Sequence, residues 1–189
     1  MRWGIKVENK LPGKSKTLQI VQIALLIAVT CMVTMTIRIP TLIGYTHLGD
    51  SMVFISAILL GKKRGAVAAA FGMCMADILG GYFVWAPFTL IIKGSMAYVA
   101  AYIAYRKNYN GNNLWNNIFA FIMAGIWMVV AYYLANAAIT RFIYVKVATF
   151  QESLIISLVE IPGNIIEVLV GIVLALPLIK GLRNYFDKI

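Results

Sequence analysis

The sequence predicts an all-α polytopic membrane protein of six transmembrane helices, with an outward-facing ligand pocket and a structured first external loop. Three observations carry that reading. Hydrophobic residues make up 61% of the 189 residues and charged ones 13%, against about 45–50% and about 25% in soluble domains. Nearly all of the chain divides into apolar stretches of spanning length, with the short polar gaps that mark their ends. Basic residues, finally, fall at alternate gaps. Arg2, Lys6, Lys10, Lys14 and Lys16 precede the first span, and Lys62, Lys63 and Arg64 fill the second gap. Arg106 and Lys107 fill the fourth, and Lys180, Arg183 and Lys188 follow the last span, which places thirteen of the 17 basic residues on one side. The opposite gaps hold only Arg38, Arg141 and Lys146, and Lys93 lies inside a span. The positive-inside rule then makes both termini cytoplasmic and the number of spans even.

Each element follows in order. Residues 1–16 form a basic cytoplasmic segment, residues 17–182 the six-helix domain and residues 183–189 a cytoplasmic tail. The apolar run at Thr17–Ile37 is too long for a signal-peptide core and lacks a small-residue cleavage site, so it reads as a retained first span. Arg38–Gly49 is an external loop: Pro40 and Gly44 break the helix, and its apolar residues let it pack as a lid. Span two, Asp50–Leu60, is only ~16 Å long if helical, so it is tilted, recessed or extended by its neighbours. Gly61–Gly65 is a tight cytoplasmic turn, and span three, Ala66–Gly80, is short and rich in small residues. Gly80–Pro87 makes a second external loop, Phe88–Tyr105 span four, Lys107–Asn113 a cytoplasmic loop and Trp115–Ile139 span five. Thr140–Gln151 is the third external segment, leading into span six, Ser153–Ile179, which Pro162 and Pro177 are placed to kink.

Several function classes drop out. The net charge of +10 would point to nucleic acid in a soluble protein, but here it marks the cytoplasmic face and its anionic lipid. Cys31 and Cys74 lie within apolar spans and resemble neither a disulfide framework nor a metal motif. With His47 as the single imidazole, a histidine-based metal site is not expected. No phosphate loop, zinc-protease motif or serine-hydrolase elbow is present, so the chain carries no ATPase of its own and no recognised catalytic or cofactor motif.

Candidate functional residues are those that a lipid-spanning helix should not contain. An ionisable group there costs about 2.5–3.5 kcal/mol and defaults to a functional role. Asp50, Asp77, Lys93, Glu160 and Glu167, with the amides Asn136 and Asn164, are of this kind, and most fall in the outer half of the membrane. Glu160, Asn164 and Glu167 stand at i, i+4 and i+7, along one helix face; Glu167 is the deepest and is expected below the pocket. A plainer reading has Lys93 pairing with one carboxylate only to neutralise it, while amides tie helices together. Seven such groups exceed what packing needs. Tyr45, Tyr82, Phe83, Trp85 and Phe88 gather in the external loops. An interfacial belt accounts for some, and beside buried charges they also suit stacking on a flat heterocycle. His47 reads either as a contact to that ligand or as an ordinary loop residue. Two small-residue series, Ala24 with Ala28 and Ala68 with Gly72 and Ala76, permit close helix approach, inside the bundle or against another membrane protein.

At this point a family resemblance enters. Gly44-Tyr-Thr-His-Leu-Gly-Asp-Ser-Met-Val-Phe54 and Ala57-Ile-Leu-Leu-Gly-Lys-Lys-Arg-Gly65 resemble the substrate-binding S components of energy-coupling factor (ECF) vitamin transporters. Ala76-Asp-Ile-Leu-Gly-Gly-Tyr82 and Trp85-Ala-Pro-Phe-Thr-Leu-Ile-Ile-Lys-Gly94 add to the match, which covers the first half by motif and the second by topology. The branch most similar is the riboflavin-type one that includes hydroxymethylpyrimidine and pyridoxine-like assignments. The resemblance implies a subunit of the bacterial cell membrane that captures a small vitamin from outside. It implies as partners a transmembrane coupling protein (the T component), docked on Ala24 and Ala28, and two cytoplasmic ATPases. It also implies ligand contacts from the first external loop and the outer parts of helices four to six. Candidate contacts are then Tyr45, His47, Asp50, Asp77, Tyr82, Trp85, Lys93, Asn136, Glu160 and Asn164, with hydroxymethylpyrimidine or pyridoxine as the expected cargo. An ion-coupled secondary transporter using Asp77 or Glu160, and a small intramembrane enzyme using Glu160 with Lys93, stand as alternatives.

Overall fold

The computed structural model describes residues 15–41, 45–144 and 149–186. Most of the N-terminal basic segment, Gly44, Lys146 and Lys188 lie outside the described residues. The chain is a bundle of α1 (Lys16–Thr36), α2 (Asp50–Leu79), α3 (Ala86–Ala104), α4 (Leu114–Ile139), α5 (Phe150–Ser157) and α6 (Ile161–Phe186), with a two-stranded hairpin of β1 (Arg38–Pro40) and β2 (Tyr45–His47) between α1 and α2. A π-helical turn, Thr140–Tyr144, prolongs α4, and a 3₁₀ turn, Leu158–Glu160, joins α5 to α6.

The count of six helices needs correction. The expected spans two and three are two arms of α2, and α5 and α6 run on as one body through the 3₁₀ turn, leaving five long helical bodies among the described residues. Four of these are long and apolar enough to cross a membrane: Lys16–Thr36, Ala86–Ala104, Leu114–Tyr144 and Phe150–Arg183. The arms of α2 are separated by a single residue, Gly61, at φ +76° and ψ −172°, a conformation that an L side chain resists. The chain folds back on itself there. A Cβ on Gly65 would stand 2.5 Å from the Ser56 carbonyl oxygen, although nine residues of continuous helix would separate the two by about 13 Å.

The first arm is the central post of the bundle. Val53, Phe54, Ile55 and Ala57 are wholly buried, and every residue from Asp50 to Ile58 is enclosed. A helix apolar on nearly all sides needs neighbours on all sides. Phe54 stacks on Phe121 of α4 with centroids 4.3 Å apart, and the Tyr105 hydroxyl donates to the Ile58 carbonyl at 2.7 Å. That bond satisfies one of the carbonyls a helix leaves unpaired at its C-terminal end.

The external loop predicted at Arg38–Gly49 is a β-hairpin across the described parts, paired Arg38 with His47, Ile39 with Thr46 and Pro40 with Tyr45. Three-residue strands carry too little alternation to be seen in sequence. The Arg38 guanidinium holds the hairpin's base, donating to the Ala76 carbonyl at 2.7 Å and to the Thr34 carbonyl at 3.4 Å. Basic residues collect at the opposite end of the bundle: the Lys62 ammonium lies 4.6 Å from the Tyr102 ring centroid, and Arg183 donates to the Asn110 carbonyl.

The two small-residue series now separate. Ala68, Gly72 and Ala76 are buried against α1, where a Cβ on Gly72 would meet Thr30 Cβ at 2.7 Å and the Ile27 carbonyl at 2.9 Å. Ala24 and Ala28 face outward beside exposed Val21, Leu25 and Met32. Gly72→Leu is therefore expected to overpack the α1–α2 contact and destabilise the purified chain by about 1–3 kcal/mol. Ala28→Leu should stay within about 0.5 kcal/mol of the parent. Thermal unfolding in detergent reads both, and equal losses would contradict the assignment of the two faces.

Candidate functional site

The hairpin, the end of α2, and the adjoining turns of α3, α4 and α6 surround a small, partly open cavity. The hairpin supplies Tyr45 and His47 and α2 supplies Asp77. Trp85, which caps α3, lies beside Thr89 of that helix. Tyr132 and Asn136 come from successive turns of α4, and Glu160, Asn164 and Glu167 from the last helical body. Seven of the ten residues named from the sequence thus share one cavity wall.

The other three are not part of the lining. Lys93 is completely buried on α3, its ammonium bonded to Asp50 and 3.4 Å from Glu167 Oε2. Its Nζ also lies 5.1 Å from the Tyr132 ring centroid. Asp50, wholly enclosed at the start of α2, keeps its second oxygen without a hydrogen-bond partner among the described residues. Tyr82 packs outside on Tyr45, centroids 4.4 Å apart. Glu167 reverses its expected place. The hairpin dips into the bundle far enough for the His47 backbone N–H to donate to Glu167 Oε1 at 2.9 Å, so Glu167 joins the lining and anchors the ion cluster together. Thr89 and Tyr132 were not singled out in the sequence. The Tyr132 hydroxyl donates to Thr89 at 3.1 Å, and the one available signal was that Tyr132 and Asn136 are four residues apart on a helix that otherwise reads as apolar.

Carboxylates hold the hairpin over the cavity. Thr41 donates to Glu160 Oε2 at 2.7 Å, and the Tyr45 hydroxyl donates to Asp77 Oδ1 at 2.5 Å. Burial, with Asp77 alongside, raises the Tyr45 phenol above its ordinary range, so it remains a donor. Burial and the Lys93 charge hold His47 well below the usual imidazole value, so it is neutral. His47 Nδ1 accepts from the Gly49 N–H at 3.2 Å, which places the ring proton on Nε2. His47, Asp50 and Glu167 bring donor atoms within 4.8 Å of one another, the spacing of a metal site. The Lys93 ammonium, bonded to both carboxylates, is the cation placed among them.

The wall therefore offers carboxylates, amides, hydroxyls and aromatic faces around one partly open space. It is equipped to orient a small polar ring, with Trp85 and Tyr132, whose centroids are 6.1 Å apart, as its apolar surfaces. Asn136, 3% exposed, keeps Oδ1 without a hydrogen-bond partner among the described residues, where buried polar groups are normally paired. Replacing Lys93 by Met would leave Asp50 and Glu167 buried without their cation. We expect a loss of about 3–5 kcal/mol, seen as a lower unfolding temperature of the purified chain and partly recovered in Lys93→Met/Glu167→Gln. An unchanged temperature would show that the cluster holds nothing together.

Comparison with known proteins gives three results. Residues 14–184 match the family described as "ECF-type riboflavin transporter, S component". A protein of Pyrococcus woesei described as "Uncharacterized protein in gap 3'region" is 35% identical over 101 residues, a stretch covering 52% of this chain and 65% of that protein. The chain thus spans somewhat under two thirds of that relative's length. A solved structure described as "Structure and mechanism of the S component of a bacterial ECF transporter" superposes with a TM-score of 0.67 at 19% identity, over 92% of this chain and 99% of that one. At that identity the likeness is one of fold.

Proposed function

This chain belongs to the family of ECF-type riboflavin transporter S components, and from that premise we propose that the cavity under the hairpin is where it captures a small, water-soluble vitamin or precursor. Membership makes it a multi-pass membrane protein and a substrate-binding transport subunit, not an enzyme. The observation that carries the reading is the partly open cavity itself, in which polar groups from the hairpin and four helical bodies converge around aromatic faces.

In our reading Tyr45, His47, Asp77, Trp85, Asn136, Glu160 and Asn164 contact the cargo, joined by Thr89, Tyr132 and Glu167. Asp50 and Lys93 set the floor's charge, and Tyr82 braces the hairpin through Tyr45. The favoured cargo is a flat polar heterocycle, hydroxymethylpyrimidine or pyridoxine, because carboxyls and amides can read ring nitrogens, amines and hydroxyls. The two arms of α2 each count as one crossing, which makes six in all, with both termini cytoplasmic in the cell membrane. Alternating basic gaps support that topology.

Transport in this family is powered by a coupling protein and ATPases. We place the docking of the coupling protein on the outward face of α1 at Ala24 and Ala28, where small residues permit close helix approach. Tryptophan at either alanine should stop uptake by the assembled transporter and leave ligand binding by the isolated chain intact; loss of both would refute that placement. The cargo itself is tested by mass spectrometry of small molecules retained by the gently purified chain. A vitamin-like heterocycle is expected, with affinity lowered about 10- to 100-fold by Asn164→Ala or Asn136→Ala, as about 1–3 kcal/mol of unmet hydrogen bonding implies. Recovery of a lipid or peptide would overturn the assignment.

A further inference from the structure

The end of the bundle opposite the hairpin carries a second arrangement of polar groups. Gly61 turns the chain so that Lys62, the first residue of the second arm of α2, lies beside α3 with its ammonium 4.6 Å from the Tyr102 ring centroid. Tyr102 stacks on Tyr98, one turn back along the same exposed face of α3, with centroids 6.4 Å apart and planes inclined by 18°. Toward α4, the Arg106 guanidinium lies 5.0 Å from the centroid of the exposed Phe119 ring. Its Nε donates to Asn116 Oδ1 at 2.7 Å. Asn116 is buried and itself fixed, donating through Nδ2 to the Ile103 and Ala104 carbonyls at 2.9 and 3.1 Å. A buried amide thus holds an exposed cation in one orientation. Among the described residues neither Lys62 nor Arg106 takes part in an ion pair, and no hydrogen bond engages the terminal amino groups of Arg106.

We propose that this surface, from Lys62 across α3 to Arg106, is a binding site for one anionic phospholipid, its headgroup phosphate on the two cations and its acyl chains along Tyr98 and Phe119. Charge alone draws such lipid loosely to any basic residue at a membrane face. Here two cations are held on neighbouring aromatic rings, and one is oriented by a buried amide, which makes a site of what would otherwise be a diffuse field. A guanidinium fixed in this way takes a phosphate through paired N–H bonds. A choline lipid fits less well, because the rings that would receive its quaternary ammonium already face Lys62 and Arg106. Trp115, exposed beside Asn116 at the start of α4, suits the headgroup level, where tryptophan is enriched. The proposal rests on the chain being a membrane protein and is independent of what the cavity under the hairpin binds.

Native mass spectrometry of the purified full chain, equilibrated with equimolar phosphatidylglycerol and phosphatidylcholine of the same acyl composition, tests this. Phosphatidylglycerol is expected to be retained at least about fivefold over phosphatidylcholine, the weight of one basic residue at an anionic surface. Lys62→Gln and Arg106→Lys should each remove most of that preference, the second because it keeps the charge and loses the fork that Asn116 orients. Lys63→Gln and Lys107→Gln remove equal charge from exposed neighbours and should leave the preference nearly intact. Equal retention of the two lipids would overturn the proposal. So would a preference lowered alike by all four variants, which would assign it to diffuse charge, or displacement of the lipid by soluble glycerol phosphate, which would make the ligand a free anion. In the assembled transporter, a photo-crosslinking residue in place of Tyr98 should capture lipid; capture of a protein subunit would give this face to that protein and overturn the lipid site.

Discussion

Burying the Lys93 ammonium is the constraint from which the rest of the architecture follows. An ammonium with no solvent exposure is tolerable only when paired and hydrogen-bonded, and here its partners come from two other helices: Asp50 opens the first arm of α2 and Glu167 lies on α6. The pairing forces α2, α3 and α6 to meet at one depth. Gly171 makes the approach possible, because a Cβ there would stand 3.0 Å from Asp50 Cβ. Glu167 then uses its other oxygen to accept from the His47 backbone. The cluster that fixes the helices therefore also draws the hairpin into the bundle and sets the floor of the cavity.

A hairpin held by carboxyls suits a capture subunit for a physical reason. Thr41 on Glu160 and Tyr45 on Asp77 are polar contacts between a short hairpin and the wall it covers. A cargo with its own donors can exchange for such contacts at little net cost, since one hydrogen bond replaces another. Apolar packing would have to be broken outright. Packing does fix the surroundings: the first arm of α2 is enclosed on nearly all sides and the second is locked to α1 at Gly72. Rigid walls and an exchangeable cover are what a pre-formed site requires.

Much of this was legible in the sequence because lipid makes exceptions conspicuous. Each ionisable group in an apolar run had to be either paired or functional, and that rule, extended to the amides, collected five residues of the cavity wall and the two behind it. The brevity of Asp50–Leu60 was visible too. Its cause, a fully enclosed half-length arm ended by left-handed Gly61, was not, because glycine in a basic turn does not disclose how sharply the chain folds back. The partners of Lys93 are 43 and 74 residues away, and no spacing rule chooses them among four carboxyls. The β-strands were too short to alternate. Tyr132 sat in an aromatic pair that reads equally well as membrane-facing. Glu167 was placed too deep because the hairpin's descent toward it is a tertiary feature with no local signature.

The central claim is that the space under the hairpin receives the cargo. It is tested most directly by an experimental structure of the chain purified with its retained ligand. The account predicts a flat molecule lying against Trp85 and Tyr132 with polar atoms directed at Asp77, Asn136 and Glu160, above an intact Lys93–Asp50–Glu167 cluster. A second space, between α4 and α6, is lined by Ile126, Val129, Val168 and Leu169 and has almost no polar surface. Ligand density there, with the cavity under the hairpin collapsed, would contradict the account.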